Sequence, residues 1–491
     1  MNPAYQTLGE LKTSGYQPKS IKEEIRQNLI HRIKQNQASF DNIFGFDDTV
    51  IPDLERAILS RHNILLLGLR GQAKTKIARL MIQLLDEYIP TIAGSEIHDD
   101  PFQPISKYGI DLIREMGDQT PISWLHRSER YVEKLATPDV SIADLIGDVD
   151  PIKAATLKLP YSDERVIHFG LIPRAHRCIF VINELPDLQA RIQVSLFNIL
   201  QEGDLQIRGF KLRLPLDVQF VFTANPEDYT NRGSIITPLK DRIESQILTH
   251  YPRSIETAKK ITLSQANIHP HQHENVEVHP FHHTLLETLV FKARESELID
   301  TKSGVSARLS ISAYENLASG AERRSLKNGD LKTTTRIADF WGIIPAITGK
   351  VELVYEGEQE GPYEVAIKLM NEAIQEVFLD MFPHPGKIKS GKTKDPYGAM
   401  KLFFGDGNTV TILQDMSNEE FQQTLLKIPG MRKFLDDYNI LEKDQAIFAE
   451  FVLHGLHQFE IVGRSFVHNR LEFSDPLSSM FDQMGEEDDD Q

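Results

Sequence analysis

The sequence predicts an α/β domain built on a parallel sheet, then an all-helical region and a small, mainly helical C-terminal domain. Three observations predict it. Short apolar runs at 64–67, 178–182 and 218–223 alternate with helical patterns, as expected of strands covered on both faces. The first run leads directly into Gly68-Leu69-Arg70-Gly71-Gln72-Ala73-Lys74-Thr75 and then into Ala78, Met81, Leu84 and Leu85, which fall on one helix face. After Tyr251-Pro252 the strand patterning stops and helical periodicity takes over.

In chain order, residues 20–37 read as a helix and Asn42-Ile43-Phe44-Gly45-Phe46-Asp47 as a turn. A helix through Ile51, Leu54, Ala57 and Ile58 then leads into the first strand. Residues 91–161 are long and mixed. Beyond the second strand, Leu188, Ile192, Leu196 and Leu200 mark a helix, and Leu205, Ile207, Leu212 and Leu214 flank a hairpin turn at Gly209. Later helices are expected over 285–293, 307–321, 336–341 and 363–382. The domain expectation is a helical segment at 1–37, an α/β core at 38–252 and a helical region at 253–384. A basic linker at 385–398, a small helical domain at 399–475 and an acidic tail at 476–491 complete it.

Composition narrows the class. The 491 residues are 40% hydrophobic and 25% charged, which suits a multidomain globular protein. No apolar run approaches the ~20 residues of a membrane span, and the N-terminus lacks the basic and apolar regions of a secretory signal. A single cysteine, Cys178, excludes an internal disulfide and a cysteine-cluster metal site, so a cytoplasmic location is expected. The net charge of −17 speaks against broad nucleic-acid binding. Glu486-Glu487-Asp488-Asp489-Asp490 reads as a solubilising tail, with a partner-binding tail as the alternative. The run His269, His271, His273, His279, His282 and His283, broken by Pro270 and Pro280, reads as a solvated loop, with metal binding as the alternative.

The strand–glycine loop–Lys-Thr–helix order is a phosphate-cradling pattern. Backbone N–H groups wrap the phosphates, Lys74 reaches the β- and γ-phosphates, and the Thr75 hydroxyl ligates Mg²⁺. Ala73 stands where the strict pattern has glycine. Strand 178–182 runs into Asn183-Glu184. In phosphate-loop ATPases an acid here holds the hydrated Mg²⁺ and a following Glu polarises the attacking water, so Glu184 is the candidate general base. Asn183 replaces the acid: its amide oxygen can still face the ion's water shell but brings no charge. Farther on, Thr223-Ala224-Asn225-Pro226 ends the third strand, Arg242 closes Pro238-Leu239-Lys240-Asp241-Arg242, and Arg308 follows Ser306-Ala307. Either arginine alone would read as a solvated side chain.

Taken in this order, the motifs resemble those of AAA+ ATPases of the helix-2-insert clade, close to MoxR-type ATPases and magnesium chelatase subunit I, over residues 38–355. MoxR-type loops often end Ala-Lys-Thr, which accommodates Ala73. The segment Phe169-Gly170-Leu171-Ile172-Pro173-Arg174 resembles the chelatase approach to its acidic strand. The resemblance places the insert's hairpin at 155–172 and a further hairpin at Gly209. It implies nucleotide contacts from Ile43, Phe44 and Gly45, from Gly68, Leu69, Arg70, Gly71, Gln72, Ala73, Lys74 and Thr75, and from Lys76. It implies Mg²⁺ at Thr75 and Asn183, a sensor role for Asn225, an arginine finger at Arg242 and a second sensor at Arg308.

ATP and Mg²⁺ are the implied cofactors, and a homo-oligomeric ring, a hexamer by family habit, is the implied assembly. The implied activity is ATP hydrolysis coupled to remodelling of a client, in MoxR-type relatives a von Willebrand factor A-domain protein. Two other readings stay open: the motor subunit of a magnesium chelatase, and a nucleotide-gated scaffold that Asn183 leaves nearly without hydrolysis.

Overall fold

The computed structural model describes residues 5–160, 163–207, 213–226, 234–387, 395–467 and 470–476. The chain divides into two compact units, Met1–Tyr251 and Pro252–Gln491.

The first unit is organised by five strands, β1 (Ile64–Leu67), β2 (Tyr131–Leu135), β3 (Cys178–Asn183), β4 (Val218–Ala224) and β5 (Ser245–Leu248). Their spatial order is β5-β1-β4-β3-β2, and every pair is parallel. Alternation along the strands feeds two cores. Leu65, Phe180, Ile182, Phe220 and Phe222 enter one, while Ile64, Leu66, Ile179, Val181 and Val221 enter the other. Both faces are therefore covered, which is why β1, β3 and β4 are buried along their whole length and, apart from Gln219, Thr223 and Asn183, built of apolar residues. Because the strands are parallel, Leu67, Asn183 and Ala224 all end at the same edge of the sheet, and the loops leaving them meet.

Helix Ile21–Lys34, capped by Ser20, packs on this core with helix Val50–Leu59. Its Glu24 forms a buried two-pronged pair with Arg130 at 2.6 and 2.7 Å. The expected hairpin over 155–172 is shifted. The paired strands are Gly147–Val149 and Ile167–Phe169, while Pro151–Leu157 is a helix capped by Asp150. Asp150 accepts from the N–H groups of Ile152 and Lys153, which starts a helix where a strand was expected. The hairpin around Gly209 has its arms, Asp204–Gln206 and Arg213–Pro215, paired antiparallel; its turn lies outside the described residues. The helix expected over 188–200 is two, Ala190–Ser195 and Phe197–Glu202.

In the second unit, helices Pro280–Glu295, Arg308–Asn328, Pro362–Met381 and Gln445–His457 share one hydrophobic cluster running from Phe281 to Phe473. The segments 253–384 and 399–475, expected as two domains, thus form one body. Three contacts explain the fusion. The Phe378 and Phe451 rings lie 5.9 Å apart. Glu450 accepts from the N–H groups of Ile337 (2.7 Å) and Ala338 (2.9 Å), capping the 3-10 helix Ile337–Ile343. Asn418 accepts from Arg336 at 2.9 Å. The C-terminal part also holds an antiparallel sheet, Val410–Leu413, Arg470–Ser474 and Gly463–Val467, in that order. Of the histidine run, His282 and His283 are buried within helix Pro280–Glu295 and do not belong to a solvated loop. The lysines Lys389, Lys392 and Lys394 of the expected linker, and the acidic tail at 486–490, lie outside the described residues.

Candidate functional site

The loop after β1 is shaped by backbone conformations that few residues accept. A side chain at Gly68 would meet Thr249 Oγ1 at 2.0 Å and Gln72 Oε1 at 2.2 Å, so only glycine fits. Those two groups are themselves hydrogen-bonded at 2.9 Å, and Tyr251 OH donates to the Arg70 carbonyl at 2.8 Å. Gly71 (φ 73°) and Ala73 (φ 58°) are both left-handed, and helix Lys74–Leu80 starts immediately after. Ala73 therefore occupies the conformation that glycine takes most easily.

Lys74 is buried, and its ammonium donates to Gly68 O (2.5 Å), Leu69 O (3.0 Å) and Asn225 Oδ1 (2.6 Å). Asn225 turns its other side-chain atom to Glu184, Nδ2 donating to Oε2 at 3.0 Å. Glu184 stands just past the β3 tip at φ 54°, and its N–H donates to Thr223 Oγ1 at 3.1 Å. Thr223 in turn donates to Asn183 Oδ1 at 3.1 Å, and Thr75 Oγ1 faces the same oxygen at 3.4 Å. Lys74, Thr75, Asn183, Glu184 and Asn225, far apart in sequence, thus form one connected group at the strand tips.

Sequence reasoning missed Glu133. It projects from the edge strand β2, where Asn183 Nδ2 donates to its Oε1 at 2.5 Å. Its Oε2 accepts from Arg79 Nη2 (2.9 Å) and from Tyr131 OH (2.9 Å). The sequence carried little signal for it: Tyr131-Val132-Glu133-Lys134-Leu135 shows no period-2 alternation, and its residues are half-buried except for exposed Leu135. A carboxylate here only accepts, so the Asn183 amide has its orientation decided: nitrogen to Glu133, oxygen to Thr75 and Thr223.

Ile43, Phe44 and Gly45 are half-buried in a turn with left-handed Asn42 (φ 58°) and Gly45 (φ 79°), anchored by Phe46 against His250 at 5.1 Å. Lys76 lies on the first turn of its helix, where partial burial lowers its pKa. Arg242 donates to Gln201 Oε1 (3.1 Å) and Pro238 O (2.7 Å) and lies over the Phe197 ring at 4.7 Å. It precedes β5, whose first residue Ser245 is level with Ile64. The phosphate-type loop leaves the other end of β1, roughly 10 Å of strand away. Arg308 opens helix Arg308–Asn328 in the second unit, its N–H on Ser306 Oγ at 3.1 Å.

Oxygen donors from Thr75 and Asn183, backed by a carboxylate, suit a hard cation that keeps much of its water, so the residues fit Mg²⁺. Among the described residues no helix is long and apolar enough to cross a membrane.

No family model matches the chain. Among similar solved structures is NtrX from Brucella abortus in complex with ATP, at 14% identity over 72% of this chain, TM-score 0.36. The chain spans 65% of that NtrX chain, just under two thirds of its length. Another is closed-state Hsp104 with ATPγS and casein, at 13% identity over 67% of this chain and 53% of that one, TM-score 0.38. A third is the BchI–BchD complex of magnesium chelatase, at 19% identity over 65% of this chain and 97% of that one, TM-score 0.33. In its loop and strand-tip residues, set on a parallel five-stranded sheet, the chain resembles AAA+ ATPases.

Proposed function

We propose that this chain is a cytoplasmic AAA+-type ATPase that assembles as a ring of identical subunits and uses ATP hydrolysis to remodel or activate a partner protein. One observation carries the reading: Lys74, Thr75, Asn183, Glu184 and Asn225 converge at the tips of β1, β3 and β4. In this assignment the loop N–H groups and Lys74 bind the β- and γ-phosphates. Thr75 and Asn183 hold Mg²⁺, which when bound neutralises charge on the phosphates. Glu184 takes a proton from the attacking water, and Asn225 holds the Glu184 carboxylate in place. Arg242, at the opposite end of β1 from the loop, is suited to a neighbouring subunit's nucleotide, so a closed head-to-tail ring, six-membered by family resemblance, follows. Arg308 is assigned to phosphate contact. The client is a protein, of von Willebrand factor A-domain type by the same resemblance.

Asn183 favours a second reading, a nucleotide-gated scaffold with little turnover, because no carboxylate stands at that position. Equilibrium ATP binding and turnover, measured on the native chain and on Glu184→Gln, separate the two. The ATPase reading expects both to bind ATP and only the native chain to turn it over. Tight binding without turnover in either favours the scaffold, and no ATP binding overturns both. Affinity purification on Glu184→Gln with ATP then identifies the client.

A further inference from the structure

We propose that Glu133 is a positioning residue for the metal side of the site, making an asparagine serve where phosphate-loop ATPases have an acid. The inference rests on the nucleotide-site reading above and concerns how the site is built without that acid.

Asn183 cannot choose its own orientation. Its two faces differ only in whether oxygen or nitrogen points at Thr75, and the wrong choice would aim an N–H donor at the cation site. Glu133 removes the ambiguity, since its Oε1 can only accept from Nδ2. Thr223 reinforces the choice by donating to Oδ1 from the other side at 3.1 Å. Glu133 is itself held by Arg79, whose Nε and Nη2 both donate to Oε2 (3.0 and 2.9 Å), and by Tyr131 OH. The negative charge missing from position 183 is thus present one side chain farther out, transmitted through the polarised amide to the oxygen facing Thr75.

This arrangement has a consequence opposite to simple restoration of the acid. Asn183→Asp would place two carboxylates at hydrogen-bond distance with no proton between them, and they repel. Asp at 183 fits only when Glu133 no longer carries charge. Acid and amide are therefore exchangeable between the two positions, while two acids are not tolerated.

The test measures the affinity of a fluorescent ADP analogue with Mg²⁺ and with EDTA, for the native chain, Glu133→Gln, Asn183→Asp and the double variant, with thermal melts as a folding control. Each single substitution is expected to lower the ratio of the affinity with Mg²⁺ to that with EDTA roughly 10- to 100-fold. The double variant should return to the native Mg²⁺ dependence. Asn183→Asp matching or exceeding the double variant, or Glu133→Gln behaving as native, overturns the proposal. Failure of the nucleotide-site reading looks different: Lys74→Ala would bind the analogue as tightly as the native chain, and both ideas would fall together.

Discussion

Asn225 joins Lys74 to Glu184, its Oδ1 accepting from the ammonium at 2.6 Å and its Nδ2 donating to the Glu184 carboxylate at 3.0 Å. The cation assigned to the phosphates and the base assigned to water are therefore tied through one amide. Asn225→Ala should keep ATP affinity within a few-fold while lowering turnover about 100-fold, the lower range for a misplaced general base. Steady-state turnover unchanged in this variant would remove Asn225 from the role of holding Glu184.

Lys74→Ala should abolish ATP binding, because the variant lacks the buried cation assigned to the phosphates. It also leaves the Gly68 and Leu69 carbonyls and Asn225 Oδ1 without this donor, so a stability loss of about 1–3 kcal/mol is expected. Calorimetric titration with ATP, run beside a denaturant melt, separates the two effects. Native-like affinity in the folded variant would move the site elsewhere.

Ala73→Gly tests the loop's strain. A left-handed alanine costs roughly 1–2 kcal/mol, against roughly 0.5–1 kcal/mol of extra chain entropy for glycine. The strain term is larger, so the variant should be more stable by up to about 1.5 kcal/mol, read from its urea midpoint. A clear loss of stability would mean that the Ala73 methyl packs better than its backbone suffers.

Arg242→Ala should bind ATP and fail to hydrolyse it. Mixed with Glu184→Gln, it should recover part of the activity, since some interfaces then pair an intact base with an intact arginine. Activity assays on the mixture and light scattering with ATP and Mg²⁺ check this. Strictly monomeric protein with full activity would exclude the ring; an inactive mixture would exclude the role across the interface.

Acid should act on the first unit through two buried neighbours of opposite sign. Burial holds His176 down to about 3, and its Nδ1 accepts from the Asp217 N–H at 3.0 Å. Its unfolded value of 6.5 is higher, so the unfolded chain binds more protons between about pH 3 and 6.5, and stability falls as pH falls through that window. Burial raises Asp217 from 3.8 to about 6, so between those values the folded chain binds more protons and acid favours the fold. Asp217→Asn removes the opposing contribution. It should lose stability more steeply than the native chain between pH 6 and 4, measured by denaturant midpoints; parallel slopes would contradict the pairing.

What the sequence made legible follows burial. Strands β1, β3 and β4 are buried on both faces, so short, mostly apolar runs announced them, and the loop and tip residues could be placed from them. Strand β2 mixes Glu133 and Lys134 into an edge and was unread, and Glu133 went with it. Strand β5, Ser245–Leu248, was unread for a similar reason: its one fully buried residue is Ile247. The junction of 253–384 with 399–475 depends on long-range partners such as Glu450 with Ile337, which no local periodicity encodes.

Gly455 leaves room in its helix for a neighbour's ring. A Cβ at this position would meet Phe378 Cδ2 at 1.9 Å, so the phenyl ring sits in a notch cut into helix Gln445–His457. A ring seated in a notch resists sliding along either helix axis, and helix Pro362–Met381 is thereby keyed to its neighbour. Shortening the chain after 384 would take away the notch and leave the Phe378 ring without its seat.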